Sequence, residues 1–550
     1  MKKLLASVLA LLMLLTACGG PSAGPSAAPS EAPSQEPSAP AGEVAVTGVT
    51  LEDGDVIDDN YRVFYEIFVG SFSDSDGDGV GDLRGIIDRM DYLNDGDPAS
   101  GLSLGIEGIW LSPILTSKSY HKYDVDDYYA VDPAFGTEED LKELLDLCHE
   151  RGVKVIMDMV INHSGKGNPW FTAFTAAHRS GDTSDPYYDF YTWYAAPDDP
   201  PGGRTFYPIS GTDHYYEGNF SSDMPELNYD NEAVRQAVVD VAKYYLDLGV
   251  DGFRFDAAKY IYFGDNEKSG QFWVWYMDQL KAIKPDIYTV AEVWDADAVT
   301  FDYFPALNCF DFTTSQTDGK IAAAAKGGSV DAYTSYVDGY LDEIKTLNEG
   351  ATMVPFIANH DTDRAAGFLN PANGQAQMAA NLYLLSPGSP FIYYGEEIGM
   401  RGSRGGANTD ANRRLKMEWG DGDTIADPEG STYDANKRVS ATVQEQLTDA
   451  DSLYNYYKRV ILVRKANPAI ARGDYTPLDL EGAKAGGFVS VYGDDTVAVI
   501  HNTGTEAVTV DLAAAGVSFS KINDAVGLGS ASLDGSVLTL DGQTSVVLGQ

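Results

Sequence analysis

The chain has 550 residues, 44% of them hydrophobic, and sets 83 Asp and Glu against 38 Lys and Arg, a formal net charge of −45. That length suits a large domain with accessories rather than one small core. So negative a field repels nucleic acid and anionic lipid but leaves a neutral substrate free to approach. Three cysteines exclude a disulfide framework; Cys148 and Cys309 either form one bridge or stay as two buried thiols.

In chain order, Lys2 and Lys3 precede an apolar run from Leu4 to Leu15 that is too short to span a bilayer and reads as an export signal. Leu15, Thr16, Ala17 and Cys18 resemble the bacterial lipoprotein cleavage box, which would acylate Cys18; an ordinary signal peptide with an incidental cysteine is the alternative. Residues 19–43, "GGPSAGPSAAPSEAPSQEPSAPAGE", hold nothing large enough to anchor a core and read as an extended tether. The expected location is the extracellular face of a bacterial membrane, with a lipid anchor as the membrane contact.

From residue 61, β-branched and aromatic runs alternate with amphipathic helical stretches. The strand-like runs are 62–69, 106–111, 153–160, 252–255, 287–292, 309–312, 353–358 and 390–395. Eight such strands with helices between them predict an α/β fold, a (β/α)8 TIM barrel. Leu141, Leu144, Leu145 and Cys148 fall on one helical face, as do Val234, Val238, Val241, Tyr245 and Leu248. Residues 164–230, rich in Tyr, Pro, Gly and Asp, interrupt the barrel after its third strand as an inserted lobe. Short strand-like runs from about 470 predict a C-terminal all-β sandwich. The expected domains are a signal at 1–18, a linker at 19–50, barrel parts at 51–163 and 231–468 around the lobe, and the β domain at 469–550.

In this fold, chemistry gathers at the C-terminal strand ends. The third ends in "DMVINH" with Asp158, Asn162 and His163, the fourth in "GFRFDAAKY" with Arg254 and Asp256, the fifth in "AEVW" with Glu292, and the seventh in "ANHDTDR" with His360, Asp361 and Arg364. Asp256 and Glu292 make the carboxyl pair that glycoside hydrolysis requires. Arg254, two positions before Asp256, shares its face and is expected to keep it ionised. An apolar wall that includes Trp294 is expected to raise Glu292 toward a working acid.

These four motifs resemble the characteristic regions of the α-amylase family, family 13 of the glycoside hydrolases, over roughly residues 55–550. The resemblance implies that Asp256 is the nucleophile, Glu292 the general acid/base and Asp361 the transition-state stabiliser, with His163 and His360 binding sugar hydroxyls. "SYHKYDVDDYY" resembles the family's segment after the second strand, where Tyr123 would stack on the sugar and His121 and Asp124 would line the site. Lys259 matches a lysine on the leaving-group side, and "RRLKMEW" resembles a segment in which Arg414 would clamp a terminal glucose. Arg254, Trp294 and Arg364 complete the expected substrate contacts. "MPELN" resembles the "MPDLN" of a group between oligo-1,6-glucosidases and neopullulanases, with Glu226 replacing Asp.

The implied activity is retaining, endo-acting hydrolysis of α-1,4 bonds in starch and maltodextrins. The rivals are a neopullulanase, cyclomaltodextrinase, α-glucosidase or transglycosylase of the same family, and a catalytically inactive glucan-binding protein. Finally, "DSDGDGVGDL" from Asp74 lacks the twelfth-position glutamate of an EF-hand, since Gly85 stands there. It resembles the calcium loop "DSNGDGIGDL" of oligo-1,6-glucosidases, which implies Ca2+ held by Asp74, Asp76, Asp78, Asp82 and the Val80 carbonyl; a solvated turn is the alternative. A second calcium site around Asn162 stays open.

Overall fold

The computed structural model describes residues 42–52, 54–196, 198–480 and 484–550. The expected signal, Cys18 and most of the linker lie outside the described residues.

Among the described residues, seven parallel strands form one sheet: β1 (Phe64–Ile67), β2 (Gly108–Leu111), β3 (Lys154–Met159), β4 (Gly252–Phe255), β5 (Tyr288–Ala291), β6 (Asn308–Cys309) and β7 (Phe391–Tyr393). Their order is β6-β5-β4-β3-β2-β1-β7. The remaining stave is the segment around Val354 and Phe356, which bridges Phe310 on one side and Phe391 on the other, both in parallel. The fold is the expected TIM barrel with a C-terminal β domain. The predicted strand 353–358 appears as these isolated bridges because Pro355 has no N–H to give to a ladder. β4 matches its run of 252–255, and the other staves are shorter than theirs, since pairing stops before burial does.

β1, β2, β4 and β5 are buried along their whole length, because helices cover the outside and side chains fill the inside. The inner plug is aromatic, with Phe64, Trp110, Tyr288, Phe310, Phe356 and Phe391 around Ile156. The Phe64 ring lies between Tyr288 and Phe391 at 4.6 Å from each. Gly108 makes room for it, since a Cβ there would come within 2.3 Å of that ring. Strand periodicity then places Glu66 and Asp158 one step above Phe64 and Ile156 on the inward face. Asp158 is in register with Arg254. A charged layer therefore rests directly on an apolar one.

Outside the barrel, helix Glu138–Glu150 buries Leu141, Leu144, Leu145 and Cys148 and begins in a Thr137–Asp140 capping box. Helix Glu232–Leu248 buries Val234, Val238, Val241 and Tyr245 and stops at Gly249, with φ 112°. Cys148 and Cys309 are buried free thiols. The C-terminal region pairs a five-stranded with a three-stranded antiparallel sheet around a core of residues such as Ile500, Leu538 and Leu548. No described helix is long and apolar enough to cross a membrane.

The lobe contains helix Pro169–Ser180 and a three-stranded antiparallel sheet, Trp193–Ala195, Phe206–Pro208 and His214–Glu217. It returns to the end of β3, where Ser164 N–H donates to Pro225 O at 3.0 Å and Leu227 N–H to Asn162 O at 3.1 Å. Two buried carboxyls lie inside it. Glu226 accepts from Asn219 N–H at 2.9 Å, and Glu217 from the Asn219 amide at 2.8 Å and Arg204 at 3.3 Å. Burial, reinforced by Glu217, pushes Glu226 up to about 8. Its folded value exceeds its unfolded one of about 4.3, so its stabilisation is complete below that value and is lost as pH rises through about 8. Glu226→Gln should accordingly raise the melting temperature more at about pH 8 than at about pH 5. Calorimetry at both values checks this, and an equal shift at both would count against it.

Candidate active site

Arg254 on β4 is completely buried and serves three carboxylates. Its Nη1 donates to both oxygens of Asp158, at 2.9 and 3.0 Å, and to Asp256 Oδ1 at 2.7 Å, while Nη2 donates to Glu292 Oε2 at 2.8 Å. Asp158 ends β3, Asp256 follows β4 and Glu292 follows β5, so neighbouring staves deliver all three. Glu292 also accepts from Ala257 N–H at 3.2 Å. Ala257 sits at φ 48°, in the left-handed region, and this costs about 1–2 kcal/mol for a residue with a Cβ.

Burial raises Asp256 to about 6, with Arg254 opposing and Asp158 reinforcing. The expectation that Arg254 keeps Asp256 ionised is thus corrected in degree: its one charge is divided among three acids, and burial prevails. Burial also raises Glu292, against Arg254 and with Asp256 and Asp361. The direction is the expected one. Trp294, 40% exposed, lines the same cleft as Glu292, and its ring stacks on Phe312 at 5.0 Å.

Opposite this group stands Asp361. Arg414 Nη2 donates to Asp361 Oδ1 at 2.5 Å, and His360 Nε2 lies 3.1 Å from Oδ2. Burial would raise Asp361, but His360 and then Arg414 outweigh it and hold this carboxyl well below the usual range. Arg414 is itself fixed by His360 O at 3.1 Å and the Tyr120 hydroxyl at 3.2 Å. Tyr123 donates its hydroxyl proton to Asp158 at 2.9 Å and faces His360 Nε2 at 2.7 Å, while His360 Nδ1 meets Glu66 at 2.5 Å.

Asp256, Glu292 and Asp361 open onto a cleft of about 880 Å3. Its lining includes Tyr120, Arg414 and Asp410, and also Phe220, Tyr260, Lys259 and Trp294. Phe220, from the lobe, meets Tyr260 edge-on at 5.0 Å and His163 at 5.3 Å. Lys259 Nζ donates to Trp294 O at 2.7 Å and Asp295 at 3.0 Å, which ties the turn after Asp256 to the turn after Glu292. Burial pushes His121 and His163 down to about 4, so both are neutral imidazoles near neutral pH.

Residues 66–473 match the α-amylase catalytic-domain family. The chain belongs to the α-amylase family. It is 36% identical to "Alpha-amylase 3" of Dictyoglomus thermophilum over 80% of this chain and 84% of that one. It is 30% identical to "Trehalose synthase/amylase TreS" of Mycobacterium tuberculosis over 80% and 81%. Among solved structures, Eubacterium rectale Amy13B superposes with a TM-score of 0.83 at 34% identity, covering 92% of this chain and 99% of that one.

Within this family frame, the structure brings Asp256, Glu292, Asp361, His121, Tyr123, His163, Lys259, Trp294 and Arg414 to one cleft. Four expected contacts lie elsewhere. Arg254 is under the carboxylates. His360 has no exposed surface and lies behind Asp361 and Tyr123. Asp124 is turned into its own loop, accepting from Ser117 at 2.7 Å and from Ser119. Arg364 is 1% exposed and donates to the carbonyls of Tyr394 at 2.6 Å and Arg413 at 2.9 Å. Glu66, Tyr120 and Phe220 were not expected. For Glu66 the signal was present, as an acid inside the otherwise apolar "RVFYEIFV".

In the aspartate loop, carboxylate oxygens of Asp74, Asp76 and Asp78 lie within 4.8 Å of one another. Asp82 is outside that group: it accepts from Gly85 N–H at 2.6 Å as a helix cap and from Ser75 at 2.9 and 3.0 Å. No second such group surrounds Asn162 among the described residues.

Removing a cation shared by three buried acids strands all of them. Arg254→Met is expected to lower stability by about 3–5 kcal/mol near neutral pH, and by less at about pH 5, where the acids can take up protons. Denaturant unfolding at the two pH values measures this, and a pH-independent loss would contradict it.

Proposed function

We propose that this chain is an endo-acting α-amylase that hydrolyses α-1,4-glucosidic bonds in starch and maltodextrins with retention of configuration. The observation that carries the reading is the single guanidinium that holds Asp256 and Glu292 from its two terminal nitrogens. Two carboxyls kept side by side in this way suit the narrow retaining separation of about 5–5.5 Å rather than the inverting one of about 6.5–9.5 Å. Asp256, ionised above about pH 6, attacks the anomeric carbon while Glu292 gives its proton to the glycosidic oxygen. The leaving chain departs as an alcohol and a glycosyl ester of Asp256 remains. Glu292, now a carboxylate, takes a proton from water as that water displaces Asp256. Asp361, the most acidic of the three, stays ionised opposite positive charge developing on the sugar ring.

The endo preference is supported by the size and lining of the cleft around these carboxylates. Its volume is near the upper end for small-molecule sites, about 300–1,000 Å3, and leaves room for more than one sugar unit. Aromatic rings at Tyr120, Phe220 and Trp294 offer apolar faces to pyranose rings. Asp256→Asn should cut starch hydrolysis by at least about 10³-fold without lowering the melting temperature. With the unaltered protein, a mixture of maltooligosaccharides from starch supports endo-hydrolysis. Glucose alone, trehalose, or products longer than a maltotriose substrate would assign the cleft to another activity of the family.

We propose further that the aspartate loop holds a structural Ca2+ through Asp74, Asp76 and Asp78, with the Val80 carbonyl. Their hard oxygens lie close enough together to share an ion whose bonds run about 2.3–2.6 Å. Asp82 contributes instead by capping the helix that follows. Calcium at a hundredfold excess over its Kd would stabilise the protein by about 2.7 kcal/mol, a melting shift of a few degrees. Melts with calcium and with a chelator test the site, and superimposable curves would refute it.

A further inference from the structure

The reading of the cleft as a glycosidase leaves one buried acid without a task. Glu66 on β1 is 1% exposed, faces inward in an apolar strand, and touches no substrate surface. Its Oε1 lies 2.5 Å from His360 Nδ1. Hydrogen-bond accounting decides what this contact does. Taken as a carboxylate, Glu66 can only accept, and Nδ1 then carries a proton. On the other side of the ring, Nε2 faces the Tyr123 oxygen at 2.7 Å and Asp361 Oδ2 at 3.1 Å. The Tyr123 proton is committed to Asp158, so its oxygen accepts, and Asp361 also accepts. Nε2 must therefore carry a proton as well.

We propose that Glu66 is a positioning residue that holds His360 as a fully buried imidazolium, and that this imidazolium in turn keeps Asp361 ionised and aimed into the cleft. Glu66 acts through His360, and His360 bears on Asp361 and Tyr123. The inference rests on the glycosidase reading only for its kinetic consequence, since the pairing itself is a matter of the protein alone.

The surrounding charges make the assignment consequential. Asp158, Asp256 and Glu292 approach from β3, β4 and β5, while Arg254 and Arg414 are the fixed cations near them. Tyr393 on β7 is in register with Glu66, and His121 from the loop after β2 is neutral. With Glu66 and Asp361 this layer holds five acids, and without His360 only two cations would face them. Burial works against the charged ring, yet Asp361 and Glu66 outweigh it and lift His360 to about 10. The Trp110 ring, edge-on at 5.6 Å, and Phe68, at 6.4 Å, keep water from the imidazole.

The test compares Glu66→Gln and Glu66→Asp with the unaltered protein by two readouts. Imidazole nitrogen resonances of His360, assigned with His360→Asn, report its protonation without substrate. The pH profile of kcat/KM on a soluble α-glucan reports its consequence. Losing one adjacent negative charge should lower the His360 titration by about one pH unit or more. Between the new and old His360 titrations, kcat/KM should drop further below the alkaline limb that the proton donor Glu292 sets, by about ten-fold per unit. Glu66→Asp, with its carboxylate one methylene further away, should fall between the two, and it carries both readouts if the glutamine variant does not fold. An unshifted His360 titration in either folded variant would overturn the proposal, and a kcat/KM profile unchanged above the new titration would overturn its kinetic consequence. If the unaltered protein turns over no α-glucan, the glycosidase reading fails, while the resonances still decide the pairing.

Discussion

The site depends on placing one permanent cation where water cannot reach it. Arg254 cannot shed its proton, has no exposed surface, and rests on the aromatic plug with Trp110 5.0 Å beneath its guanidinium. In such a place a guanidinium must be surrounded by acids, and Asp158, Asp256 and Glu292 satisfy that need. The same contacts decide where the acids sit. Two of them face the cleft, while Asp158 stays below as the anchor that Tyr123 and Trp110 also grip. Positioning the reactive groups and neutralising a buried charge are here one arrangement.

Around that arrangement, acids outnumber cations and each acid takes a different value. Asp361, between His360 and Arg414, is held low, whereas Asp256 and Glu292 divide the charge of one arginine and are raised by burial. The difference is one of partners rather than depth. In the proposed mechanism it separates the group that stays charged from the one that hands over a proton.

Much of this was legible in the sequence because strand chemistry is local. A polar residue at the C-terminal end of an apolar run can be found by counting, and Asp256, Glu292 and Asp361 were found in that way. What counting could not show is which side chains meet across the barrel. His360 and Arg364 stand beside Asp361 in the chain, yet one is sealed behind it and the other turns to the carbonyls of Tyr394 and Arg413. Trp294 lies with Glu292 in the cleft, and its stacking partner Phe312 comes from another stave, which counting along one strand could not show. Asp82 matched the spacing of a ligand, and folding gives one of its oxygens to a helix start and the other to Ser75. The seventh stave was located correctly and drawn too regular, because Pro355 limits its ladder.

The lobe leaves the end of β3 and comes back to it, with the outgoing chain at Asn162, His163 and Ser164 hydrogen-bonded to the returning chain at Pro225, Glu226 and Leu227. Its two legs are thus stitched together at the rim of the barrel, and above this stem the lobe leans on the barrel's loops, as where Gly165 N–H donates to Val125 O and Trp170 stacks on Tyr128. Changes in the lobe that keep the stem and these few contacts leave the staves below in place. The wall that carries Phe220 over the cleft is in this sense an exchangeable part, and this architecture allows substrate preference to be rewritten while the catalytic floor is left untouched.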